Sequence, residues 1–179
     1  MPNANTAVQA ITAANGRLPS DALGASSTAE FQFSKSSSRY VLTLPGSSKC
    51  INRPIRIKAW GRVTGGTTTN FTVKLYSGSS ATIGSNTSIA TSGAIAVNSV
   101  SGNFWLEAEG VWDSTSDKFQ GLFRGHINGT AVAAAILSSV TQPGADPSTE
   151  GNGLTVTGTF SASNASNAAI LDGFEVEVL

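Results

Sequence analysis

Two glutamates set two residues apart, Glu107 and Glu109 in the run Trp105-Leu106-Glu107-Ala108-Glu109-Gly110, come nearest in this chain to a catalytic spacing. On an extended strand such positions share a face, with side chains roughly 7 Å apart. That separation is compatible with the acid and base of a glycosidase. Sandwich glycosidases with a jelly-roll-like fold carry a denser acidic motif on one strand, and here the run is one carboxylate short. A solvated, ion-paired strand face explains the pair better. Glu175 and Glu177, in Phe174-Glu175-Val176-Glu177, raise the same question and receive the same answer. A sandwich glycoside hydrolase or lyase therefore ranks last among the functions considered, and the expectation is a chain that is not an enzyme.

The other chemical candidates are weaker. His126, the one histidine, sits on the polar side of its strand and has no nucleophile signature nearby. A metal site there would need acidic partners gathered from elsewhere, so a surface or interface histidine is the expectation. Asp113 and Asp117 flank a short turn and lack the dense oxygen ligands of a Ca²⁺ loop; satisfying backbone donors in a tight turn is their ordinary use. Gly65-Gly66 is followed by Thr67-Thr68-Thr69, and no Gly-Lys pair occurs, so no phosphate-cradling loop is present. No cofactor and no metal are expected. Three aromatics carry more weight. Trp60, Tyr76 and Trp105 fall opposite the core residues of their strands, where they could stack on sugar rings or seat against a partner subunit.

The elements that position these residues are short alternating strands. Ile55, Ile57, Ala59 and Val63 face one way, and Arg56, Lys58, Trp60 and Arg62 the other. Phe104, Leu106 and Ala108 alternate with Glu107 and Glu109; Phe174, Val176 and Val178 alternate with Glu175 and Glu177. Strict period two means one buried and one solvated face. Basic residues outside one strand and acidic residues outside others suit cross-strand pairing. If Ile51–Val63 and Gly173–Leu179 are neighbours, Arg56, Lys58 and Arg62 lie beside Glu175 and Glu177. Pro54 predicts an edge or bulge at the start of the first of these strands. Asn103–Trp112 and Lys118–Asn128 read as the clearest hairpin, with Phe119, Phe123 and Ile127 on one face. Ala131–Val140 is apolar enough for a buried strand but ambiguous with a short helix. Residues 77–101 hold two weak strands, near Thr82–Ala90 and Ala94–Val97. Residues 1–27, punctuated by Gly16, Pro19 and Gly24, read as an arm, and residues 28–179 as one sandwich domain. The fold class is all-β, a jelly-roll-like antiparallel β-sandwich with an extended N-terminal arm.

Composition agrees with a single well-cored domain. Apolar residues make up 40% of 179, and only 12% are charged, about half the usual soluble share. Such a surface carries little electrostatic repulsion against copies of itself. Net charge is zero and the pI is near 6.6, which favours neither nucleic acid nor an anionic membrane as partner. Cys50 is the one cysteine, so no disulfide forms within the chain. No apolar run reaches membrane-spanning length, and the first residues lack the pattern of a secretory signal.

The closing stretch Leu154-Thr155-Val156-Thr157-Gly158-Thr159-Phe160-Ser161-Ala162-Ser163-Asn164, followed by Phe174-Glu175-Val176-Glu177, is similar to the last hairpin of small phage head and tail proteins. Leu18-Pro19-Ser20-Asp21-Ala22-Leu23-Gly24-Ala25 resembles arm segments of phage fibre-type proteins. The chain thus resembles virion structural proteins of tailed bacteriophages. The resemblance implies a non-enzymatic, oligomeric particle component, often trimeric, located in the virion after assembly in the host cytoplasm. The leading expectation is a capsid decoration or cement module that partners itself as a homotrimer. It docks on other virion proteins, such as the major capsid protein, through an arm that includes Arg17, Leu18 and Leu23. The alternative is a receptor- or carbohydrate-binding module of a tail fibre, with a host surface glycan as partner.

Overall fold

Period-two alternation becomes strand wherever the sequence shows it most plainly. The computed structural model describes residues 8–11, 21–36, 38–43, 52–78, 80–98, 101–113, 118–141 and 153–179. The N-terminal strands are short: β1 (Val8–Ile11), β2 (Phe31–Gln32), β3 (Ser34–Lys35), β4 (Ser38–Arg39) and β5 (Val41–Thr43). Longer ones follow: β6 (Pro54–Thr64), β7 (Asn70–Ser77), β8 (Thr87–Thr91), β9 (Ile95–Ala96) and β10 (Ser101–Asp113). The last are β11 (Lys118–Ile127), β12 (Thr130–Thr141), β13 (Gly153–Phe160) and β14 (Ala168–Val178). Among the described residues the only helical piece is one 3₁₀ turn, Ile83–Ser85.

Two antiparallel sheets face each other. One has six strands in the order β1-β14-β6-β10-β11-β12. The other runs β2-β13-β7-β8, with β5 added to β13 and β9 to β7. The consecutive strands β6 and β7 lie in different sheets, as do β13 and β14, and β14 pairs with β6 while β13 pairs with β7. Each of these strand pairs therefore wraps around the other, which is jelly-roll-like wiring. The core lies between the sheets, where Ile55, Ile57, Phe71, Val73, Phe104, Phe123, Val156 and Phe174 are at most 2% exposed. At one end Phe31, Phe33, Phe71, Phe104 and Phe160 form an aromatic cluster with neighbouring ring centroids 4.8–6.2 Å apart. Burying each such ring stabilises the fold by about 1.5–3 kcal/mol.

Several expectations change in detail. Pro54 does not mark a sheet edge: it is the first residue of β6, which is flanked by β14 and β10. A strand's first position tolerates the missing N–H. Ala131–Val140 is strand, paired along β11. The weak strand at Thr82–Ala90 begins only at Thr87, after the 3₁₀ turn. The described parts of residues 1–27 are not a free arm. β1 pairs with β14 from Val8↔Glu177 to Ile11↔Phe174, and Leu23 exchanges backbone hydrogen bonds with Ala169 at 2.9 and 3.0 Å. Without them β14 would present an open edge of unpaired N–H and C=O groups. Arg17, Leu18 and Cys50 lie outside the described residues.

Candidate functional site

The outer face of the six-stranded sheet is a lattice in register. β6 points Arg56, Lys58, Trp60, Arg62 and Thr64 outward, because Ile55, Ile57, Ala59 and Val63 are drawn into the core. Lys58 stands beside Glu175 on β14 and Glu107 on β10; Arg56 stands beside Glu177 and Glu109. Lys58 Nζ donates to Glu175 Oε1 at 3.0 Å, and Arg56 Nε to Glu109 Oε2 at 3.0 Å. Arg56 Nη1 is 3.5 Å from Glu177 Oε2. The hydrogen bond to Glu109 raises the Arg56 guanidinium above its ordinary pKa, outweighing the opposing effect of burial. Glu107 is only 5% exposed. Its Oε1 accepts from Arg124 Nε at 2.9 Å and from Arg124 Nη2, with Arg56 Nε 3.9 Å from its other oxygen. Both members of the catalytic-looking pair thus hold guanidinium partners.

Next to these charged rows runs an aromatic one. Gly173 on β14, Trp60 on β6, Trp105 on β10 and His126 on β11 are directly opposite one another in register. The Trp105 and His126 rings stack with centroids 6.1 Å apart and planes 29° apart. Trp60 and Trp105 are half-buried, and His126 is exposed. Gly173 seats Trp60: a Cβ at that position would lie 2.0 Å from Trp60 Cζ2. Here β14 carries a register shift between Leu171 and Gly173, which places Asp172 over this face. Asp172 accepts two hydrogen bonds from Arg62, each 2.8 Å, from Nε and Nη2. That pairing raises the Arg62 pKa, again against burial. A hollow of about 360 Å³ opens beside the indoles, walled by Trp60, Trp105, His126, Asn103 and Asp172. The arrangement offers flat apolar rings with polar side chains at their rim, and the Asp172 carboxylate there is already paired with Arg62.

The sequence candidates divide accordingly. Arg56, Lys58, Trp60, Arg62, Trp105, Glu175 and Glu177 are brought together on one face. The partner of Arg62 is Asp172, rather than Glu175 or Glu177. Tyr76 is on the other sheet and only 7% exposed, so its ring is not offered to a ligand. The segment entering β2 reaches it there: the Tyr76 hydroxyl and Thr157 Oγ1 both donate to Glu30 Oε1, at 3.0 and 2.5 Å, and Lys74 Nζ donates to Glu30 Oε2 at 3.0 Å. Burial pushes the Glu30 carboxyl up, but these hydrogen bonds outweigh it and hold its pKa below the ordinary value. Leu23 serves as a backbone partner of Ala169 and packs on the core. Asp113 ends β10, while Asp117 lies outside the described residues. No group of three metal-ligating side chains exists among the described residues, and no helix there is long and apolar enough to cross a membrane.

Asp172, Gly173 and Asn103 were not singled out by sequence reasoning. Counting back in twos from Glu177 and Glu175 reaches Gly173 and passes over Asp172, because the bulge breaks the count. The available signal was an Asp-Gly pair interrupting an alternating strand.

No family model matches this chain, and no curated protein matches it. Among solved structures it is similar to a mutant carbohydrate recognition domain of Emp46p, with a TM-score of 0.45 and 9% identity. The likeness covers 96% of this chain and 87% of that one, and at that distance it carries neither ligand nor role across.

Proposed function

We propose that this chain is a non-enzymatic glycan-binding module whose site is the Trp60–Trp105–His126 row. The observation that carries the reading is the alignment of two half-buried indoles and a histidine in one row, with Asp172 and Asn103 at its rim. Indole faces stack on the apolar C–H face of a sugar ring, and rim groups that can donate and accept suit its hydroxyls. The pairing of Glu107 with Arg124 and of Glu109 with Arg56 gives both carboxylates a structural use, which supports the non-enzymatic part. The test is a glycan array followed by titration calorimetry on the wild type and Trp105→Ala. The variant is expected to keep its fold and lose affinity tenfold or more, about 1.4 kcal/mol. An array with no signal above background refutes the reading.

One observation favours a second, compatible reading: self-association, as a trimeric capsid-decoration or tail-fibre part of a virion would need. The twelve-residue β12 is free of charged and proline residues, and among the described residues no strand covers its outer side. Exposed edges of that kind pair with other chains unless charge or proline blunts them. Light scattering on the wild type and Ala133→Lys tests this: a trimer that falls to monomer supports it, and a wild-type monomer removes it.

A further inference from the structure

We infer that the aromatic row is one end of a trough along β6 and β10 that binds a linear, uncharged oligosaccharide across several sugar units. This rests on the glycan-binding reading and extends it to the ligand's length and charge. The hollow beside the indoles shares its Asn103 wall with a second hollow of about 290 Å³, lined by Arg62, Thr64, Ser101 and Ile170 among others. That one shares Thr64 with a third, of about 270 Å³, between the turn Gly65-Gly66-Thr67 and the facing Asn164 and Ser166. Trp60 to Thr64 alone spans about 13 Å of strand at 3.3 Å per residue, and the turn lengthens it further. One ring stacked on the indoles would fill only the first hollow.

The lining decides the chemistry. Past the indoles, beside the apolar Ala168 and Ile170, it carries Asn103, Ser101, Thr64, Asn164 and Ser166, groups that donate and accept hydrogen bonds without charge. Its one cation, Arg62, is held in two hydrogen bonds by Asp172. An anionic glycan would have to compete with that carboxylate for the guanidinium, whereas a neutral one can bond to the outward atoms of both. The walls are also fixed: Thr64 Oγ1 and Ser101 Oγ lie 3.1 Å apart, and Asn167 Oδ1 accepts the Gly66 N–H at 2.9 Å. A trough so held loses little freedom when a ligand enters.

The experiment titrates the full chain with neutral cello- and chito-oligosaccharides from mono- to hexasaccharide, and with oligogalacturonides of matched length. The hexasaccharide is expected to bind at least tenfold more tightly than the disaccharide, with little dependence on salt. Ser101→Phe, an exposed strand position in the middle hollow of the trough, should erase the gain from disaccharide to hexasaccharide. A flat length series with disaccharide binding still lost in Trp105→Ala overturns the trough while the aromatic site stands. Preference for the oligogalacturonides overturns the neutral assignment. Binding of none of these probes overturns the inference, and a blank glycan array takes the aromatic site with it.

Discussion

Adding a single methyl group at Gly173 should damage the site more than the fold. In Gly173→Ala the new Cβ would sit 2.0 Å from Trp60 Cζ2, 2.2 Å from Cε2 and 2.5 Å from Cη2. Ordinary contact begins at 3.4 Å, so the ring must retreat by about 1.4 Å. The atoms in the way belong to the far end of a half-buried side chain on an outer face, which can lift towards solvent. The stability cost therefore falls near the lower limit for overpacking, about 1 kcal/mol, or roughly 2–4 °C in Tm for a chain of this size. Binding suffers more, because a lifted Trp60 changes the wall of the hollow that it shares with Trp105. Losing one stacked contact, about 0.5–1.5 kcal/mol, weakens binding by up to about tenfold. Calorimetric titration of a glycan identified on the array, beside urea unfolding, reads both quantities. Unchanged affinity would mean that the ring's position over Gly173 is irrelevant to the site. A stability loss above about 3 kcal/mol would mean that the ring cannot move as argued.

Two further outcomes follow from buried polar contacts. Because its hydrogen bonds hold Glu30 below the ordinary carboxylate pKa of 4.5, its contribution to stability is fully present above that pH and is lost as pH falls through the lowered value. Glu30→Gln should therefore flatten the acid side of the stability–pH curve, removing roughly 1 kcal/mol of the wild type's loss; superimposable curves by urea unfolding at several pH values would refute this. Asn167 is 1% exposed, accepts the Gly66 N–H and donates to the Ala162 carbonyl at 2.7 Å. Asn167→Ala leaves both backbone groups without that partner and should cost about 2 kcal/mol in urea unfolding, whereas a loss near zero would show that the two turns are not held together by this side chain.

Much of this molecule was legible in alternation alone. The outward charges of β6, β10 and β14 sort by sign because Arg56 and Lys58 each meet acidic residues across the ladder, and the sequence records both halves of that match. Trp60 and Trp105 were legible for the same reason, as aromatics on the polar phase of strands with apolar partners. What stayed hidden depends on contacts distant in sequence. Val8–Ile11 has no strong pattern of its own and becomes strand because the edge of β14 is open to it. Tyr76 keeps the outward phase yet is covered, since Glu30, 46 residues earlier, crosses that face. β14 buries Ala169 and Leu171, then Phe174, Val176 and Val178, so its inward phase switches at the bulge; an expectation of strict period two cannot hold both sets.

The two turns that close the far end of the trough stand outside the strand ladders and are clasped to each other by Asn167. Gly66 packs directly against the Asn164 side chain, so the clasp is short and close. Neither turn supplies a side chain to the aromatic row, and the exposed tips Thr67, Thr68 and Ser166 can change identity without altering the packing between the sheets. The molecule thus separates a fixed anchor from a rewritable rim: ligand preference can drift, or be redesigned, two turns at a time while the sandwich beneath stays the same.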